Sequence, residues 1–114
     1  MAFHISITAD AESQWRALSA RQQRLLEAAI QTRLAQQPTT PTKAVKRLRP
    51  NPLAEFELRV GDLRVLYNVE ETQVILLVVG RKVGNKLIVE GTEFHGHQDY
   101  PSESAGDEPS GDID

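Results

Sequence analysis

With 114 residues the chain has room for one domain; a unit this size buries roughly 60 to 70% of its unfolded surface, so a single compact core is the ceiling. The absence of cysteine excludes a disulfide framework and a thiolate metal site. The net charge of −3 hides an asymmetry: residues 95–114 hold six acids and no Lys or Arg, leaving thirteen basic residues against ten acids in residues 1–94, a balance of +3.

The N-terminus has no basic segment followed by an apolar stretch, and the longest aliphatic run, Val74 to Val79, is too short to span a bilayer, so a cytoplasmic protein is expected. Phe3, Ile5 and Ile7 alternate with polar residues and predict a strand. Trp15, Leu18, Leu25, Leu26, Ala29, Ile30 and Leu34 then recur at intervals of three and four. Ser19 and Gln22 have the spacing of a capping box, which divides this region into a helix over 11–18 and a longer one over 20–36, closed by Pro38 and Pro41.

A linker over 39–52 carries Lys43, Lys46, Arg47 and Arg49. Beyond it, alternation over 55–60 and 63–69 around Gly61 and Asp62 predicts a hairpin. The run over 72–79 is apolar almost throughout and reads as a strand covered on both faces, and 86–93 as a last short strand. The expected class is α+β: an N-terminal strand, a two-helix hairpin, then an antiparallel β meander. Residues 95–114, rich in Pro, Ser, Gly and acids, are expected to form a disordered acidic tail outside the 1–94 domain, either a solubilising appendage or a segment that folds back on the positive surface.

A two-residue loop at Gly61 and Asp62 would set Arg59 directly opposite Arg64. Like charges across a strand pair are tolerable if carboxylates relieve them or if the surface holds an anion. Glu57 supports the first reading, as part of a solvated ion-pair lattice. The segment Gly80-Arg81-Lys82-Val83-Gly84-Asn85-Lys86 reads as a basic loop whose glycines allow close approach of a ligand, and with Lys46, Arg47 and Arg49 it could complete one positive field for a polyanion. His95, His97 and Tyr100 are conventional proton-transfer groups; two histidines without a third ligand make a weak metal site, and no metal or other cofactor is expected.

The run Lys46-Arg47-Leu48-Arg49-Pro50-Asn51-Pro52-Leu53-Ala54, followed by Phe56-Glu57-Leu58-Arg59-Val60-Gly61-Asp62-Leu63-Arg64-Val65-Leu66-Tyr67-Asn68-Val69, resembles the central hairpin of RelE/ParE-family toxins. The likeness continues into Val79-Gly80-Arg81-Lys82, and the ending over 84–91 resembles a subgroup that closes with an extended segment. The resemblance implies a RelE-like fold and the toxin of a type II toxin-antitoxin pair, with a cognate antitoxin as partner. RelE-like members cut messenger RNA on the ribosome using the substrate's 2′-hydroxyl as nucleophile; ParE-like members inhibit DNA gyrase without such chemistry. By this likeness Arg64 and Arg81 would hold the scissile phosphate as catalytic groups, with Lys46, Arg47, Arg49, Arg59, Lys82 and Lys86 contacting RNA backbone. The family's lysines before the hairpin turn are replaced by Glu55 and Glu57, and its tyrosine by a residue near Ile88. Either Glu57, His95, His97 or Tyr100 then transfers the proton, or catalysis is slow and rests on positioning and charge, or the protein only binds, pairing with an antitoxin without cutting.

Overall fold

The computed structural model describes residues 2–93. The elements are β1 (His4–Ile7), α1 (Ala9–Arg16), α2 (Ala20–Ala29) with one π-helical turn (Ile30–Leu34), β2 (Val45–Arg47), β3 (Phe56–Val60), β4 (Leu63–Glu70), β5 (Gln73–Val83), β6 (Lys86–Val89) and β7 (Thr92–Glu93). The class is α+β, as expected. Helix α1 starts earlier than the periodicity suggests because the Thr8 hydroxyl accepts the Ala11 N–H at 3.1 Å and supplies the cap. At α2 the capping box forms in both directions: Ser19 Oγ accepts from Gln22 N at 3.1 Å, and Gln22 Oε1 accepts from Ser19 N at 2.9 Å.

The expected single helix over 20–36 gives way to a π turn, in which Ala35 N donates to Ile30 O at 3.0 Å. The wider turn places Leu34 and Ala35 both in the interior, and Ala35 O accepts from Phe3 N, tying the helix end to β1.

The sheet runs β2-β3-β4-β5-β6-β7, antiparallel throughout, while β1 lies parallel to β5. One edge of β5 therefore has two successive partners: β1 along Gln73 to Leu76 and β6 along Arg81 to Val83. Between them the Val79 N–H donates to Gln14 Oε1 of α1 at 2.8 Å, so a side chain fills the interval in the ladder. An irregularity between Leu66 and Tyr67 sets Tyr67 opposite Leu76 and Leu66 opposite Val78, leaving Leu77 without a register partner.

Both sheet faces are apolar at the centre. On the helix side Leu26, Ile30 and Leu34 pack with Phe56, Leu58, Val65, Tyr67, Val74 and Val79. On the other side Leu66, Val78 and Leu87 lie under Leu48 and Ala54 from the β2–β3 connection. That connection is held by Asn51, whose Nδ2 donates to the carbonyls of Arg49 and Ala54 and whose Oδ1 accepts from Leu53 N and Ala54 N. Double coverage explains why β5 lacks a clean polar alternation.

Tyr67, fully buried and stacked on Phe56 at 5.5 Å between ring centroids, donates its hydroxyl to Pro38 O at 2.6 Å. Burial pushes its phenol pKa above the ordinary value. The folded state thus keeps a proton that the unfolded chain releases, and the associated stability is present below the free-phenol pKa and lost as pH rises past it. Tyr67→Phe is expected to lower stability by about 1–2 kcal/mol at neutral pH in urea unfolding. Above roughly pH 10 the parent should decline more steeply than the variant; parallel pH profiles would contradict this account.

Candidate nucleic-acid interface

Directly paired residues in a sheet point to the same face, so the register sorts the basic side chains. Arg59 pairs with Arg64 and Arg64 with Gly80; Lys46 pairs with Glu57, Glu57 with Leu66, and Lys82 with Leu87. Lys46, Arg59, Arg64 and Lys82 therefore share the face opposite the helices, around Glu57 and the apolar floor of Leu66, Val78 and Leu87.

Glu57 is the centre of this arrangement and is 1% exposed. Its Oε1 accepts from Arg59 Nε at 2.8 Å, and its Oε2 lies 3.9 Å from Arg64 Nε. The second contact is too long for a hydrogen bond, and among the described residues neither atom has another hydrogen-bond partner. Arg64 is held instead by the hairpin turn, its Nη1 donating to Gly61 O at 2.8 Å and Leu63 O at 2.9 Å. Its side chain is 11% exposed against 23% for Arg59, so Arg64 acts from beneath the surface. Desolvation lowers the Arg64 pKa, opposed by the attraction of Glu57, reinforced by the repulsion of Arg59 and opposed again by Asp62. The guanidinium keeps its charge nonetheless.

The Arg59–Arg64 pairing expected from the two-residue loop is present, and Gly61 takes φ of 60° at the turn. The ion-pair lattice is buried rather than solvated. The expected basic loop over 80–86 is instead the end of β5, which continues to Val83 before turning at Gly84 and Asn85. This corrects the expected convergence of Arg64 and Arg81. Alternation along a continuous strand sends adjacent residues to opposite faces, so Arg81, paired with Leu63, points to the helix side. There it lies 3.6 Å from Asp62 and borders a cleft of about 340 Å³ with Gln14, Leu18, Gln22 and Glu90. The cation that β5 contributes beside Arg64 is Lys82.

Arg47 and Lys86 also pair with helix-side residues, Phe56 and Val83. The Arg47 guanidinium sits over the Phe56 ring at 5.3 Å, and Lys86 lies 3.6 Å from Glu93. Arg49 is exposed in the connection before β3. Glu57, a candidate for proton transfer, is buried between the two arginines. His95, His97 and Tyr100 lie outside the described residues. Gly80 accommodates the protein's own chain rather than a ligand: a Cβ there would stand 2.4 Å from Ile88 O and 2.9 Å from Val89 Cγ2. The described residues contain no group of three or more potential metal ligands and no helix long and apolar enough to cross a membrane.

The family description ParE toxin of type II toxin-antitoxin system, parDE, matches residues 5–82. The chain belongs to this toxin family. The match runs from Ile5 in β1 to Lys82 in β5 and so includes Lys46, Arg59, Arg64 and Lys82. Two solved structures resemble this ParE-family toxin in fold. One is a chain of the toxin-antitoxin complex RelBE2 from Mycobacterium tuberculosis, 22% identical, with a TM-score of 0.59, covering 72% of this chain and 100% of that one. The other is a chain of the archaeal RelE-RelB complex from Pyrococcus horikoshii OT3, 20% identical, also with a TM-score of 0.59, covering 71% and 96% respectively. Among curated proteins none matches the sequence.

The Glu57 cluster in this toxin-family chain gives a test of what the face is for. Glu57→Ala leaves two partly buried guanidiniums without their carboxylate and is expected to lower stability by about 3 kcal/mol. Replacing Glu57, Arg59 and Arg64 together by Leu, Met and Leu should restore most of that loss, as apolar groups often substitute for a buried ion cluster without penalty. Chemical denaturation of both variants decides it; a triple variant no more stable than the single one would make the cluster a structural requirement of the sheet.

Proposed function

We propose that this type II toxin inhibits translation by engaging messenger RNA on the ribosome through the face of Lys46, Arg59, Arg64 and Lys82, and that a cognate antitoxin silences it. The observation that carries the reading is the side-by-side placement of Arg59 and Arg64, flanked by lysines from β2 and β5. Glu57 relieves this pairing within the fold, and phosphate is the ligand whose charge and geometry suit the positive charge that the grouped cations still carry. The solved relatives are toxin-antitoxin complexes, which supports an antitoxin partner for this chain.

In the cleaving form of this reading, the RNA supplies its own 2′-hydroxyl as nucleophile and the protein stabilises the charge that develops on the phosphate. Arg59 and Lys82 would meet the phosphate oxygens, while the more deeply seated Arg64 adds field from below. Arg81, which the family likeness nominates, is on the wrong face for that task. Lys46 and Lys82 are the described proton-bearing side chains that share the face with the arginines.

A second reading is specifically favoured by the match to the ParE family and by the enclosure of Glu57: a non-enzymatic toxin that binds DNA gyrase through the same surface. Translation of a reporter transcript in a cell-free extract, read for both protein yield and transcript ends, separates the two. Lys82→Ala should weaken inhibition by at least roughly tenfold, as expected for a lost phosphate contact in the transition state, whereas Arg81→Ala should leave it within about threefold. Equal effects of the two substitutions would refute the assignment of faces. Full translation with intact transcripts, alongside inhibited supercoiling by gyrase, would establish the second reading.

A further inference from the structure

We propose that the acidic segment 95–114 docks on the basic face of its own chain, over Arg59, Arg64 and Lys82, and competes there with polyanions. The charge pattern supplies the first argument. The segment carries Asp99, Glu103, Asp107, Glu108, Asp112 and Asp114 with no Lys or Arg, and the face gathers Lys46, Arg59, Arg64 and Lys82 around Glu57. The two are opposite in sign and joined covalently.

The exit point supplies the second. Strand β7 ends at Glu93, which pairs with Ile88 of β6, next in sequence to Leu87; Leu87 in turn faces Lys82 on β5. The described chain thus ends two strands from Lys82, about 10 Å away at ordinary strand spacing. The 21 residues that follow span up to about 70 Å when fully extended, against a largest domain dimension of 31 Å. Reach imposes no barrier, and tethering puts the acids at an effective concentration on the order of millimolar.

The inference rests on the proposed function only for the identity of the competitor; the docking itself is a property of this chain. Because the protein has no cysteine, a nitroxide attached through Ser104→Cys reports from one position in the full chain. At about 20 mM salt, amide signals of Arg59, Arg64 and Lys82 are expected to broaden selectively, while those of α2 on the opposite side stay sharp; near 500 mM salt the selectivity should vanish. It should also vanish when all six acids are replaced by their amides. The same six-amide protein is expected to bind a short single-stranded RNA at least roughly fivefold more tightly than the parent at low salt. Unselective broadening, or broadening unchanged in the six-amide protein, overturns the docking. Selective broadening combined with no RNA binding by either protein would instead overturn the RNA reading and leave the docking standing.

Discussion

The structure depends on the unbroken extension of β5. Its eleven residues pair with β4 on one edge and with β1 and then β6 on the other, so it is the element that holds the N-terminal strand, the central hairpin and the C-terminal hairpin in one sheet. Its strict alternation through Gly80, Arg81 and Lys82 then decides which cation joins the arginines of β3 and β4. A loop at the same positions would have left that choice open. Because the backbone is committed to hydrogen bonds up to Val83, the choice is made by geometry rather than by side-chain preference.

The placement of charge on the far face combines two kinds of energetic compromise. Burying Glu57 is tolerable because Arg59 meets it directly, and setting two guanidiniums across a strand pair is tolerable because Glu57 lies between them in space. Neither half is favourable alone. The cluster therefore behaves as a unit whose excess positive charge is displayed outward by Arg59 and the lysines, while the deeper Arg64 is fastened to the turn by its carbonyl contacts.

Much of the fold could be read from the residues. The capping box at Ser19, the Gly61 turn and the alternation of β3 and β4 are local signals, and each is realised with the expected partners. The π turn at Ile30 and the irregularity at Leu66 were not legible, since both answer to tertiary packing and not to local pattern. Strand β2 was hidden in a basic linker because three residues are too few to show a period. The extent of β5 is not legible in the sequence for a related reason. Gly80 looks like a strand terminator, whereas here it is the place where Ile88 and Val89 come too close for any side chain. That contact is between residues eight and nine apart and leaves no local trace. A loop at these positions could turn Arg81 toward Arg64, whereas the strand alternates it to the other face.

The interval on the edge of β5, where Gln14 replaces a strand, divides the sheet into two parts with separate attachments. The part bearing β1, α1 and α2 is anchored by the large helix-side core. The part bearing β6 and β7 meets the rest through the last residues of β5, the packing of Leu87 and Val89 on the far-side core, and a hydrogen bond from Ser13 Oγ of α1 to Glu90 Oε2 at 3.1 Å. Local opening is expected to start at such a terminal hairpin, with the end of β5 as its hinge line. Lys82 sits on that hinge line, so the geometry of the charged face is coupled to the integrity of a terminal hairpin that belongs to no core of its own.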